Sequence, residues 1–138
     1  MSEECEVCRD GVEAFEERQE ELMEKHGWVT HYVFDDKTLM INCHTHGLVE
    51  KFGHPDLQIV LPLPGKTCNG IMHTCVERIE KGEVLSGVVD HILSNDYLVL
   101  FVPAKEGGRD VMRLILPDKD QNLYNFKDNI YAKQRTVR

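Results

Sequence analysis

Short strand-like runs joined by brief turn sequences are the feature that most restricts how this 138-residue chain can fold. Residues 28–34 and 38–46 are rich in aromatic and β-branched side chains, and an Asp-Asp-Lys turn separates them. Four later runs have the same character, at residues 57–63, 84–93, 97–104 and 110–116. Because links of a few residues join strands that run in opposite directions, the pattern predicts hairpins and antiparallel neighbours.

Two segments with helical periodicity interrupt these runs. Apolar side chains recur on one stripe through residues 9–26 and on a cleaner stripe through residues 66–81. Gly27 and Gly82 follow them, as is usual where helices end. Residues 47–52 are too few to classify and could hold one helical turn. The sequence therefore predicts an α+β fold, with a single, mostly antiparallel β-sheet and two main helices packed on it.

Composition and charge fit one soluble domain over residues 1–138. Hydrophobic residues make up 41% and charged residues 29%, and no apolar run approaches the roughly 20 residues of a membrane helix. The acidic N-terminus lacks an apolar signal region, so a cytoplasmic location is expected. A net charge of -8 argues against nucleic-acid binding. The basic tail at residues 132–138 is a local exception, at a terminus where disorder is common.

Candidate functional residues concentrate in residues 43–56, which read CHTHGLVEKFGHPD. This stretch holds three of the seven histidines, together with a cysteine, two glycines and a proline. On the predicted strand, alternation directs Cys43 and Thr45 to a core-like face and His44 and His46 to the opposite face. The second face is polar and could border a cleft.

Several motifs in and around this stretch match one known family. The specific ones are Thr-His-Gly-Leu at residues 45–48 and Gly-His-Pro-Asp-Leu at residues 53–57. His-Gly-Trp at residues 26–28 and Pro-Asp-Lys-Asp at residues 117–120 support them. Over about residues 24–128 the chain resembles the bacterial domain-of-unknown-function family numbered 4262. The resemblance implies a shared fold and a shared pocket but no reaction, since the family has no established activity.

Two departures from the family pattern bear on the histidines. Members tend to carry an aromatic residue where this chain has His44, and Pro-Trp where it has Asn125-Phe126. The resemblance therefore implies that His54 is a family feature and that the pairing of His44 with His46 is not.

The leading prediction is a non-catalytic module, without a cofactor, that binds a small ligand or a protein partner or acts as a regulator. The glycines of residues 43–56 permit positive φ, and the His-Pro step favours a turn, so this stretch is expected to form a shaped loop. Such loops recognise ligands on rigid scaffolds. The candidate loop residues are Thr45, His46, Gly47, Gly53, His54, Pro55 and Asp56.

The alternative is a hydrolytic enzyme centred on residues 43–56 that depends on a metal or a thiol. His44 and His46 share a strand face and could bind one ion, zinc or another divalent transition metal, with His54 or Asp56 completing the set. The plainer interpretation of the same residues is an ordinary polar strand face.

Thiol chemistry has weaker support in the sequence. Cys5 and Cys8 directly precede a predicted helix, as in redox motifs, but no strand precedes them and nearby glutamates oppose thiolate formation. Cys43 or Thr45 could be written as a nucleophile with His46 or His54 as base. The remaining cysteines lie on core-like stripes and are expected to be buried and inert, at positions 43, 68 and 75.

Overall fold

The computed structural model describes residues 25–35, 40–93, 97–124, 126 and 128–135. The strands are β1 (Val29–Asp35), β2 (Met40–His46), β3 (Asp56–Ile59), β4 (Gly87–Val89), β5 (Val99–Glu106) and β6 (Arg109–Ile115). The helices are α1 (Leu48–Phe52), α2 (Gly65–Glu80) and α3 (Asn129–Ala132), with a 3-10 helix at Lys133–Arg135. The helix predicted over residues 9–26 lies outside the described residues, except for Lys25 and His26, which are helical.

The six strands form one mixed sheet in the order β1-β2-β3-β6-β5-β4. The prediction of a mostly antiparallel sheet is wrong at its centre, where β3 and β6 run parallel and Asp56 pairs with Val111. The chain leaves β3 through α2, enters the sheet again at the far edge as β4, and returns through β5. β6 therefore arrives beside β3 in the same direction.

Helix α2 is the one long helix among the described residues, and it covers one face of the sheet. Its bounds differ by one residue at each end from the predicted helix. The helix ends before Gly82, whose φ is +95°. Its buried side chains are Cys68, Met72, Cys75, Val76 and Ile79. They pack against strand residues that include Cys43, Leu57 and Phe101, and burial of each large apolar side chain contributes about 1.5–3 kcal/mol.

The opposite face of the sheet carries a row of polar side chains across four strands. The pairing register aligns His31 with His44, His44 with Gln58, and Gln58 with Arg113. This agrees with the predicted polar face of β2, although His44 is only 5% exposed. From His44 to Arg113 the row is therefore a buried polar layer whose groups need partners, whereas His31 at its edge is half-buried.

The C-terminal helical segment covers the Arg113 end of this row. The backbone carbonyl of Gln134 accepts a hydrogen bond from Arg113 Nη1 at 3.1 Å. The buried side chain of Gln134 bonds to both the N–H and the carbonyl of Leu116, at 2.7 and 3.0 Å. Residues 132–135, which the sequence assigns to a basic tail, are thus helical and attached to the sheet.

In the described part of the chain, no helix has both the length and the apolar character needed to cross a membrane.

Candidate functional site

Asp56 fixes the loop that joins β2 to β3. Its Oδ1 accepts hydrogen bonds from Thr45 Oγ1 at 2.8 Å and from the Leu48 N–H at 3.0 Å. Its Oδ2 accepts from Arg109 Nη1 at 2.9 Å, and Thr45 Oγ1 in turn accepts from the Leu57 N–H at 2.9 Å. Because these buried polar atoms are all partnered, the loop network stabilises the fold.

Gly47 and Gly53 flank α1, and both have the positive φ that the sequence predicts, at +107° and +69°. A Cβ at Gly47 would lie 2.3 Å from the carbonyl oxygen of Gly27, whereas a Cβ at Gly53 would meet nothing within 4 Å. Gly47 therefore permits a close approach of two backbone segments, and Gly53 only ends the helical turn.

His54 is buried and holds two distant parts of the chain together. Its Nε2 accepts a hydrogen bond from the Leu85 N–H at 3.0 Å, so Nδ1 carries the hydrogen and donates to the Pro55 carbonyl at 2.8 Å. Both ring nitrogens are therefore engaged. The structure does not place His54 with His44 and His46, and His54 has no nitrogen left for a metal.

Three imidazoles meet at the β1–β2 end of the polar face. The ligand nitrogens of His31, His44 and His46 lie within 4.8 Å of one another. The antiparallel register places His31 opposite His44, and His46 follows two residues later on the same face. The ring centroids are 4.4 to 5.5 Å apart. Two of the three predicted metal ligands are thus brought together, and His31 takes the place expected for His54.

A chain of hydrogen bonds fixes which nitrogen of His44 carries the hydrogen. Arg113 Nε can only donate, and it donates to Gln58 Oε1 at 2.7 Å. Gln58 Nε2 then donates to Asn42 Oδ1 at 3.1 Å, and the same oxygen lies 3.0 Å from His44 Nδ1. Because that oxygen accepts, His44 Nδ1 is the donor. The lone pair of His44 is therefore on Nε2.

Burial keeps the three imidazoles uncharged at neutral pH. It lowers the pKa of His44 to about 4, with Glu106 opposing the shift and Arg109 adding to it, as His46 and His31 do when they are protonated. Burial also lowers the pKa values of His31 and His46, and the positive charge of Arg109 lowers both further. Neutral imidazole is the form that binds metal ions.

Glu106 and Arg109 approach this cluster from the β5–β6 hairpin, which extends past the first residue of β3. Glu106 Oε1 lies 3.8 Å from His44 Nε2 and accepts a hydrogen bond from Arg109 Nε at 2.8 Å. Arg109 Nη2 also donates to the Thr45 carbonyl at 2.7 Å. Although burial raises the pKa of Glu106, the hydrogen bond from Arg109 holds it below its usual value, and His44 adds to this effect when it is protonated.

The described cysteines are buried and reduced, as predicted for Cys43, Cys68 and Cys75. The pKa of Cys43 is raised, first by its hydrogen bond with Cys68 and then by burial. The same bond lowers the pKa of Cys68, while burial raises the pKa of Cys75 to about 12. Cys43 is therefore a poor nucleophile. Cys5 and Cys8 lie outside the described residues.

The fold and the site define an α+β domain with a mixed sheet, a long helix on one face and a histidine cluster on the other. A family model described as Domain of unknown function (DUF4262) matches residues 22–123. The chain belongs to this family, which confirms the resemblance seen in its motifs. No curated protein and no solved structure matches the chain.

Proposed function

We propose that the protein is a binding module whose ligand is a divalent transition-metal ion held by His31, His44 and His46. The observation that supports this proposal is the approach of three ligand nitrogens to within 4.8 Å of one another. Zinc, or another ion that accepts imidazole ligands, is the chemical class that this set fits.

The chemistry around the three histidines supports the same conclusion. Their lowered pKa values leave them uncharged at neutral pH, so a metal ion need not displace protons from them. The hydrogen bond from His44 Nδ1 to Asn42 orients the ring and leaves Nε2 for the ion. The carboxylate of Glu106 lies 3.8 Å from His44 Nε2 and favours a cation there, whereas the positive charge of Arg109 opposes one at His31 and His46.

The loop of residues 45–56 has a different part in this proposal. Its side chains at Thr45, His54 and Asp56 are committed to hydrogen bonds inside the protein. A ligand could reach them only by breaking those bonds, so we assign the loop to the scaffold. It holds the end of β2, and with it His46, in place.

Metal titration of protein prepared without a histidine tag tests the proposal. We expect wild-type protein to bind about one equivalent of Zn²⁺ or Co²⁺, and His31→Ala and His46→Ala to weaken binding at least about 100-fold. His91→Asn is the matched control, because His91 is exposed and asparagine tolerates its φ of +58°. Binding that is absent in wild-type protein, or equal in all four proteins, would overturn the proposal.

A metal-dependent hydrolase is the second candidate, because three histidines with a fourth position open to water are typical of catalytic zinc sites. Zinc-loaded protein would then hydrolyse activated carboxyl or phosphate esters, and His46→Ala would abolish the activity. Equal hydrolysis by zinc-loaded wild-type protein and by the same amount of free Zn²⁺ would eliminate this candidate.

A further inference from the structure

The contact between Glu106 and His44 is unusual because no hydrogen lies between the two facing atoms. Glu106 Oε1 and His44 Nε2 are 3.8 Å apart, beyond the roughly 2.7–3.2 Å of a hydrogen bond. The hydrogen of His44 is on Nδ1, where it is donated to Asn42. A lone pair and a carboxylate oxygen therefore face each other across a gap.

A metal ion would fit this gap. Ligand atoms at about 2.0–2.1 Å from a tetrahedral zinc ion lie about 3.3 Å from one another. The separation of 3.8 Å between Glu106 and His44 is thus close to the spacing of two ligands of one ion. Glu106 is outside the set of ligand atoms that all lie within 4.8 Å of one another, so its carboxylate must rotate toward His31 and His46 to share their ion.

We propose that Glu106 is the fourth ligand of this site, so that three imidazoles and one carboxylate surround the ion. The inference rests on the metal-binding function proposed above and specifies its ligand set. With four protein ligands the ion has no position open to water, which is typical of structural zinc sites and not of catalytic ones. The site is then a closed binding site.

Arg109 is a positioning residue for Glu106. Its Nε donates to Glu106 Oε1, its Nη1 to Asp56 and its Nη2 to the Thr45 carbonyl. The planar guanidinium thus fixes the position of the Glu106 carboxylate relative to the loop network around Asp56. Glu106 and Asp56 together carry one more negative charge than the positive charge of Arg109, while Arg109 is the largest single charge effect on His31 and His46.

Cobalt absorption spectroscopy with matched variants tests the ligand set. In wild-type protein we expect the intense visible bands of four-coordinate Co²⁺. Glu106→Gln should weaken Co²⁺ binding at least about 100-fold and reduce band intensity, since its neutral amide is a poorer ligand. Arg109→Lys should weaken binding about tenfold and shift the spectrum toward that of Glu106→Gln. Glu77→Gln, exposed on the helix that covers the opposite face, should behave as wild type.

The outcomes separate this inference from the proposed function. Wild-type protein that binds Co²⁺ while Glu106→Gln binds it with the same affinity and spectrum would overturn the role of Glu106 and leave the three-histidine site standing. Weak six-coordinate bands in wild-type protein would overturn the closed site. A wild-type protein that binds no Co²⁺ would refute the proposed function itself.

A second variant tests the same ligand if Glu106→Gln does not fold. If Glu106→Gln is unstable without metal, Glu106→His supplies a different metal ligand at the same position. We expect it to bind Co²⁺ within about tenfold of wild type, with bands shifted by the exchange of oxygen for nitrogen. A folded Glu106→His protein that retains wild-type bands would contradict ligation by residue 106.

Discussion

The loop network around Asp56 and the histidine cluster lie next to each other, and they differ in how their polar atoms are used. Both carboxylate oxygens of Asp56 accept hydrogen bonds inside the protein, and Thr45 Oγ1 both donates and accepts. In the cluster, three ligand nitrogens converge, and His44 Nε2 faces a carboxylate oxygen without a hydrogen between them.

Under the proposed metal-binding function, this difference separates residues that hold the fold from residues that would bind the ligand. Buried polar atoms with internal partners stabilise the chain and leave no capacity for a ligand. The ring nitrogens of the cluster that lack such partners are not sealed from solvent, since Thr30 Oγ1 is the one buried side-chain N or O atom without a hydrogen-bond partner among the described residues. Neighbouring residues of β2 therefore belong to different classes, with Thr45 in the first and His44 and His46 in the second.

The largest expected effect is at Asp56. Asp56→Ala removes the acceptor for Thr45, Leu48 and Arg109, and we expect it to lower the free energy of unfolding by about 3–5 kcal/mol. Urea unfolding measures the change. Asp110→Asn is the control, because the exposed pair of Asp110 with Lys105 should contribute less than about 1 kcal/mol. If both variants lost the same free energy of unfolding, the Asp56 network would stabilise the fold no more than an exposed ion pair does.

The two loop glycines give the next effect. Gly47→Ala places a methyl group against the Gly27 carbonyl and imposes a strained φ, and we expect a loss of about 3 kcal/mol. Gly53→Ala has the strained φ alone and should lose about 1 kcal/mol. Thermal or urea unfolding of both proteins measures the difference. A Gly53→Ala loss as large as that of Gly47→Ala would show that the close approach at Gly27 contributes little.

Metal-linked stability should distinguish the cluster from the loop. At a free Zn²⁺ concentration 100 times the Kd, wild-type protein should gain about 2.7 kcal/mol in free energy of unfolding. His46→Ala should lose this gain, while its metal-free stability changes by less than about 1 kcal/mol, because His46 is only partly buried. Denaturation with and without chelator gives both quantities. A large loss in metal-free His46→Ala would move His46 into the structural class.

The smallest expected effect is on the pH dependence of the free energy of unfolding. Because the pKa of His44 falls from 6.5 to about 4 in the folded protein, the unfolded chain binds protons first as the pH drops. Stability from this source is complete above pH 6.5 and is lost between pH 6.5 and about 4. Urea unfolding of metal-free protein across this window should show a shallower slope in His44→Gln than in His91→Asn. The Glu106 carboxyl, whose pKa is lowered from 4.5, contributes stability that is lost only as the pH falls below about 4.5, at the lower end of that range.

Local periodicity is enough to predict those elements whose structure follows from the spacing of their own residues. The helix predicted over residues 66–81 is α2, and the last predicted strand is β6 shifted by one residue. Alternation along β2 also places Cys43 and His44 on opposite faces, as found. These features depend on spacing along the chain, so the sequence alone is enough to predict them.

Features that depend on register could not be predicted in this way. A tight turn at residues 35–37 would align His31 with Ile41, whereas the observed register aligns His31 with His44. That shift of three residues creates the cluster. Glu106 and Arg109 reach it only because β6 lies beside β3, a pairing that no local pattern encodes. His54 Nε2 accepts a hydrogen bond from a backbone N–H 31 residues away, so local sequence patterns could not predict that this nitrogen is occupied.

The parallel pairing of β3 with β6 also has a consequence for the order in which the domain can be made. β3 ends at Ile59 and its partner begins at Arg109, so one edge of β3 stays unpaired while about 50 further residues are synthesised. At ribosomal rates this takes roughly 3–10 s. During that interval the first three strands present a free edge that other chains can pair with. A nascent chain that stalls before residue 109 is therefore an aggregation-prone fragment and not a smaller version of the domain.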